Sequence, residues 1–286
     1  MGIGDDAAIL TSDVREAVIS TDLICDGVHF QATACEPEEI GRKAIGVNLS
    51  DLAAMAAEPI AAFASLLVPS DTEQSYVQRL IDGMSRLAAE FDMTIAGGDT
   101  NAWSGLLAIN VTVVGRLTSH GPLLRRGAQP GDVLLVTGVL GGSIQGHHLD
   151  FTPRVRESLF LIEHYNLSAG IDLSDGLAID LRRLTTASDC GAEIIASRIP
   201  ISPAAKRMAQ SPENEIEHAL GDGEDFELLL AVPPSEAAEM LATQPLAAPL
   251  FAIGHCTAGS ELWLVDGAEK RPLPELGYEH GANGRQ

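Results

Sequence analysis

Apolar and polar positions along this chain follow two rhythms. From 72 to 91 the apolar residues Val77, Leu80, Ile81, Met84, Leu87 and Ala88 recur at helical spacing, which predicts an amphipathic helix. A run rich in small residues over 38–56 predicts a second helix, with Pro37 suited to its first turn. Short apolar runs at 17–19, 61–68, 93–96 and 106–114 predict strands. A cluster of Gly115, Gly121, Pro122, Gly127, Pro130 and Gly131 then breaks the pattern. Beyond it, strands are expected at 133–136, 226–232 and 250–253, helices at 154–165 and 177–188, and a glycine-rich loop at 137–143. The alternation predicts an α/β (α+β) chain of two domains, 1–118 and 119–286. The tail after Gly281 is expected to fray.

Composition narrows the class. With 286 residues, 45% of them hydrophobic, the chain can bury a substantial core. Its formal charge of −22 argues against a nucleic-acid partner, because a basic footprint is missing. Most of that charge reads as a solvated acidic surface. No apolar stretch is long enough to span a bilayer, and the start Met1-Gly2-Ile3-Gly4-Asp5 lacks the regions of a signal peptide. No membrane partner and a cytoplasmic location are therefore expected. Cys25, Cys35, Cys190 and Cys256 form no C-x-x-C pair, which leaves free, mostly buried thiols as the expectation.

Candidate chemistry lies in six short acidic segments set against glycine or other small residues. They are Gly2–Asp6, Ser20-Thr21-Asp22, Asn48–Asp51, Gly97–Thr100, Asp172–Gly176 and Gly221–Asp225. Two follow predicted strands, so their carboxylates are expected at strand ends, where they would supply the hard oxygen ligands that magnesium prefers. Taken singly, each aspartate is more often a turn former or helix cap, and Asp175 fits a cap before the helix at Leu177. Asp51 resists that reading, because it lies in an apolar stretch where a buried carboxylate needs a cation or a donor. Gly2-x-Gly4-x-x-Ala7 imitates a dinucleotide fingerprint but has no strand before it. A Walker loop is excluded, since none of the three lysines, Lys43, Lys206 and Lys270, follows a glycine. His147-His148 near Asp150 reads as a surface loop rather than a metal site. Arg125-Arg126 suits either phosphate contact or a solvated basic pair, and His29 either a structural role or an anion contact.

In their order and wording these motifs resemble the thiamine-monophosphate kinases, within the superfamily of aminoimidazole ribonucleotide synthetase. The likeness runs through Gly2-Ile3-Gly4-Asp5-Asp6, Ile19–Asp22, Val47–Met55, Gly97–Thr100, Ile171–Leu177 and Gly223–Leu228, nearly the whole chain. It implies an N-terminal α/β domain that dimerises, a C-terminal α/β domain, and transfer of phosphate from ATP to thiamine monophosphate in thiamine biosynthesis. By that resemblance Asp6, Ser20, Thr21, Asp22, Asp51, Asp99, Asp172 and Asp175 fall on magnesium positions for several ions. Gly98, Asp99, Arg125 and Ser174 fall on ATP positions, and His29, Glu224 and Tyr278 on thiamine-phosphate positions. No residue is assigned as a catalytic base. Two departures stand out. The family has a longer segment before the first motif; a misplaced start and a real loss are the two readings, and dimer packing and ATP closure stay open at this point. The stretch between Gly142 and Pro153 is also shorter. The competing readings are a non-catalytic metal-dependent nucleotide binder and another ATP-using member of the superfamily.

Overall fold

A computed structural model of the chain describes the backbone of residues 8–11 and residues 16–278. The first half contains β1 (Ala8–Thr11), β2 (Glu16–Cys25), α1 (Pro37–Ala54), β3 (Ala57–Pro69), α2 (Gln74–Glu90), β4 (Thr94–Trp103) and β5 (Ala108–Leu117). Its five strands form one sheet in the order β1-β2-β5-β3-β4. Only β3 and β4 run parallel, joined by α2 as a crossover.

Along β5 the side chains of Ile109, Val111 and Val113 alternate inward while their neighbours face out. The two helices on the inner face differ in kind. Helix α2 buries Leu80, Gly83, Met84, Leu87 and Ala88, one stripe of a surface helix. Helix α1 buries fourteen of its eighteen residues, so it has neighbours on nearly every side. Pro37 opens it, and the Glu39 carboxylate accepts from the Glu36 amide to complete a capping box. The helices cross where Gly41 meets Gly83. A β-carbon at either would collide with a backbone carbonyl of the other helix, so only glycine allows this approach.

The second half contains β6 (Val133–Thr137), α3 (His147–Asp150), α4 (Val155–His164), β7 (Ala169–Asp172), α5 (Leu177–Ser188), β8 (Gly191–Ile195) and α6 (Pro203–Met208). It continues with α7 (Pro212–Gly221), β9 (Leu228–Val232), α8 (Pro234–Thr243), β10 (Leu250–Thr257), β11 (Leu262–Asp266) and β12 (Glu269–Pro272). These strands make a seven-stranded sheet ordered β12-β11-β8-β10-β6-β9-β7. One core cluster packs α5 against this sheet, through Leu177, Leu181 and Leu184 against Ile171 and Ile194. The other cluster joins Leu135, Phe151 and Leu230 to Ile40, Leu49 and Leu52 of α1. Apolar contact is thus continuous between the two sheets, and α1 is the element between them.

Several expectations need correction. Ser20-Thr21-Asp22 and Gly97-Gly98-Asp99 lie in the middle of ten-residue strands, β2 and β4, not at strand ends. Polar, glycine-rich stretches stayed in strand conformation because their backbone groups are used by the ladders to β5 and β3. The pair His147-His148 is not a surface loop: it begins α3, and His148 is buried with Nδ1 against the Ser143 carbonyl. Of the four thiols, Cys190 and Cys256 are buried and Cys25 and Cys35 half-buried.

Candidate active site

A cleft of about 400 Å³ opens where α1 and β2 face the ends of β7 and β9. The first half contributes Asp22, Leu23 and Ile24 from β2, Val28 and His29 from the turn after it, and Val47 and Asp51 from α1. The second half contributes Asp172, Ser174, Asp175, Asp222, Glu224, Phe226 and Tyr278. The cleft has an acidic wall and an apolar one, and eight of the sequence candidates line it.

Neighbours orient Asp51, Asp172, Asp175, Asp222 and Glu224. The Ser20 hydroxyl donates to Asp51 across from β2 to α1. The Ser50 hydroxyl donates to Asp172 at 2.6 Å, joining the two halves of the chain. Asp51 is half-buried rather than enclosed, which brings it to the cleft wall. Asp175 does not cap α5. Instead the buried Asp180 carboxylate accepts from the Asp175 and Gly176 amides, while Arg183 bridges Asp175 and Asp180 at 2.5 and 2.7 Å. Asp222 accepts from the Gly142 amide at 2.7 Å and lies 3.0 Å from His218 Nδ1. The neighbouring Asp225 is 2% exposed and accepts from the Gly141 amide, yet among the described residues its Oδ2 has no hydrogen-bond partner. Burial pushes its carboxyl well above the usual range; the bond from the Gly141 amide opposes this, and Glu227, Asp222 and Asp180 add repulsion. These contacts use the Gly141 and Gly142 amides of the glycine-rich loop, so the loop binds its own carboxylates rather than offering those amides to a phosphate.

Lys43 went unremarked as a functional residue in the sequence, which offered only its position inside the α1 pattern. Its side chain is fully buried and its Nζ donates at 2.6 Å both to the His29 carbonyl and to Glu224 Oε1. Burial pushes this ammonium down and the Glu224 carboxylate opposes that. Removing one member of such a pair costs about 3–5 kcal/mol, because a buried charge is left alone. His29 is held a second way: its Nδ1 accepts from the Cys25 amide, which leaves the proton of the neutral ring on Nε2. Phe226, also in the cleft wall, stacks on Phe151 at 4.0 Å. Phe151 in turn lies over Gly46 of α1, where any β-carbon would meet its ring.

Other candidates lie elsewhere. Thr21 points to the opposite face of the first sheet, where its hydroxyl meets Thr112 at 2.9 Å. Asp99 is exposed on β4, in register with Ser65, and accepts from the Thr100 amide and Asn101. Gly98, beside it, is also away from the cleft lining. Arg125 lies by the end of α5, its carbonyl accepting from Ser188. Asp6 is outside the described residues. Among the described residues, no three His, Cys, Asp or Glu side chains converge closely enough to hold a metal ion by themselves.

The profile of the family described as AIR synthase related protein, N-terminal domain, matches residues 4–117. The thiamine-monophosphate kinase of Rhodopirellula baltica is 39% identical over 292 residues, covering 98% of this chain and 91% of the relative. That of Escherichia coli K12 is 35% identical, covering 99% and 92%. A solved structure described as AaThiL complexed with AMPPCP and TMP superposes with a TM-score of 0.85 at 29% identity, covering 98% of this chain and 92% of that one. The fold is that of the aminoimidazole ribonucleotide synthetase-like class. Within it, this chain belongs to the thiamine-monophosphate kinase family.

Proposed function

We propose that the cleft between the two sheets is where the γ-phosphoryl group of ATP passes to the phosphate of thiamine monophosphate, giving ADP and thiamine diphosphate. The chain is an ATP-dependent kinase of its family, and one observation supports placing the reaction here. Carboxylates from both halves, Asp22 and Asp51 against Asp172 and Asp175, converge on a single cleft. A phosphate monoester, with a second pKa of about 6, is already a nucleophilic anion at neutral pH. No general base is required. The obstacle is repulsion between two polyanions, so positioning and charge neutralisation are the protein's task.

The donor set fits magnesium. These are hard oxygens, and magnesium is usually held by one or two carboxylates together with substrate phosphates and water rather than by an all-protein cage. Asp22, Asp51, Asp172 and Asp175 would hold such ions, which supply charge neutralisation of the phosphates when bound. Ser20 and Ser50 orient two of those carboxylates. Ser174 lies on the same wall for a phosphate contact, while His29, Glu224 and Tyr278 are read as contacts to thiamine monophosphate.

The outer face of the first sheet supports a homodimer. Phe63, Leu67 and Trp103 are 40–46% exposed there, a density of large apolar groups unusual for a free surface. Asp99 and Thr21 belong to that face, so on this reading a second copy brings them to a site. We take residues 1–118 and 119–286 as the two domains. Free thiols and the use of ATP favour the cytoplasm. Among the described residues no helix is long and apolar enough to cross a membrane.

The deciding experiment couples ADP release to purified protein with ATP, magnesium and thiamine monophosphate. Turnover that requires thiamine monophosphate is the expected result. Nucleotide binding without turnover would favour a non-catalytic binder.

A further inference from the structure

We infer that Lys43 is a positioning residue for thiamine monophosphate, holding His29 and Glu224 in place from behind the cleft wall. The inference rests on the reading of those two residues as substrate contacts.

The geometry is specific. Lys43 sits on α1 with no exposed side-chain surface, so it cannot touch a ligand itself. Its ammonium reaches two segments that have no sequence relation: the turn after β2, through the His29 carbonyl, and the loop before β9, through Glu224. Glu224 is separated from Lys43 by 181 positions. Its backbone has φ +54°, a left-handed conformation that a non-glycine residue keeps only where its surroundings impose it. Two contacts impose it here: the Glu224 amide donates to the Ser174 carbonyl at 2.7 Å, and the carboxylate is held by Lys43. Glu224 and His29 both line the cleft, about a quarter of the Glu224 side chain being exposed. One buried cation therefore sets the spacing of two groups across the cleft. A uniform loss of fold stability would not be confined to one substrate, whereas a loss of spacing would.

The test is steady-state kinetics of Lys43→Met with each substrate varied in turn. The expected result is a KM for thiamine monophosphate raised about tenfold, with the KM for ATP within about twofold of the parent, because only one substrate loses its positioned contacts. In the Lys43→Met/Glu224→Gln double variant the two effects should fall well short of multiplying, as expected for residues acting as a unit. Equal loss of kcat at unchanged KM values, or fully multiplicative effects, overturns the inference. If Lys43→Met does not fold, Lys43→Gln carries the same test with a shorter neutral donor. Glu224→Gln and His29→Ala separate the two readings. If neither raises the KM for thiamine monophosphate, the substrate assignment fails; if both do and the folded Lys43 variant does not, only the positioning role fails.

Discussion

The two faces of the five-stranded sheet treat the same kind of residue in opposite ways. On the inner face, Ser20 and Asp22 of β2 look toward α1, and the Ser20 hydroxyl is engaged with Asp51. On the outer face, Thr21 between them bonds Thr112, and Asp99 engages its own neighbours Thr100 and Asn101. Strand geometry alone produces this split, because successive side chains point to opposite sides. A motif of three adjacent polar residues is therefore not one ligand cluster in one chain. Its members can share a site only if another surface meets the outer face.

The largest effect should come from the inner face. Asp51→Asn is expected to lower kcat about thousandfold with magnesium, since on the proposed reading it removes a carboxylate that would face the phosphates; near-normal turnover would remove the inner face from the chemistry. Asp99→Ala should cost about a hundredfold by the same argument for a more peripheral ligand. Mixing it with Asp51→Asn under conditions of subunit exchange should restore part of the activity, because one site of the mixed dimer then holds both aspartates. No recovery would mean that each chain supplies its own Asp99 or that the residue has no part. Phe63→Glu puts a charge amid the exposed apolar group and should halve the mass seen by sedimentation, with α-helical signal retained; an unchanged mass would free the outer face from any role in assembly.

The smallest effect sharpens the contrast by touching a buried carboxylate that belongs to neither face. Asp225 has its folded pKa raised, so its contribution to stability is full below the unfolded value of about 3.9 and is lost as pH rises toward the folded one. Asp225→Asn removes that loss. Its melting temperature relative to the parent should rise with pH across that window, by about 2–4 °C for each kcal/mol recovered. A difference independent of pH would mean that the Asp225 carboxyl is ionised in the fold.

Much of this architecture was legible in the sequence. The α2 stripe and the alternating β5 announced themselves through period alone, and the wording of the acidic motifs pointed to the family and to most of the cleft. Three things were hidden. Strand length was underestimated at β2 and β4, because polar and glycine residues suggest turns when their ladder partners, more than fifty positions away for β2, are not in view. The partner of the amides that open α5 was missed, since Asp175 fits the cap position while Asp180 makes the bonds. Lys43 was hidden most thoroughly, as its partner lies in the other half of the chain and no local pattern marks a buried cation.

Helix α1 also has a consequence for how this chain can vary. Lys43 engages Glu224, Gly46 receives Phe151, and Ser50 engages Asp172, so three contacts to the second half lie on one helical stripe. They depend on residue spacing more than on any single side chain. One residue inserted between 43 and 50 would turn Ser50 and Asp51 by about 100° relative to Lys43, and no side-chain adjustment could recover that rotation. Substitutions along this helix can be accommodated one at a time, but its length cannot change.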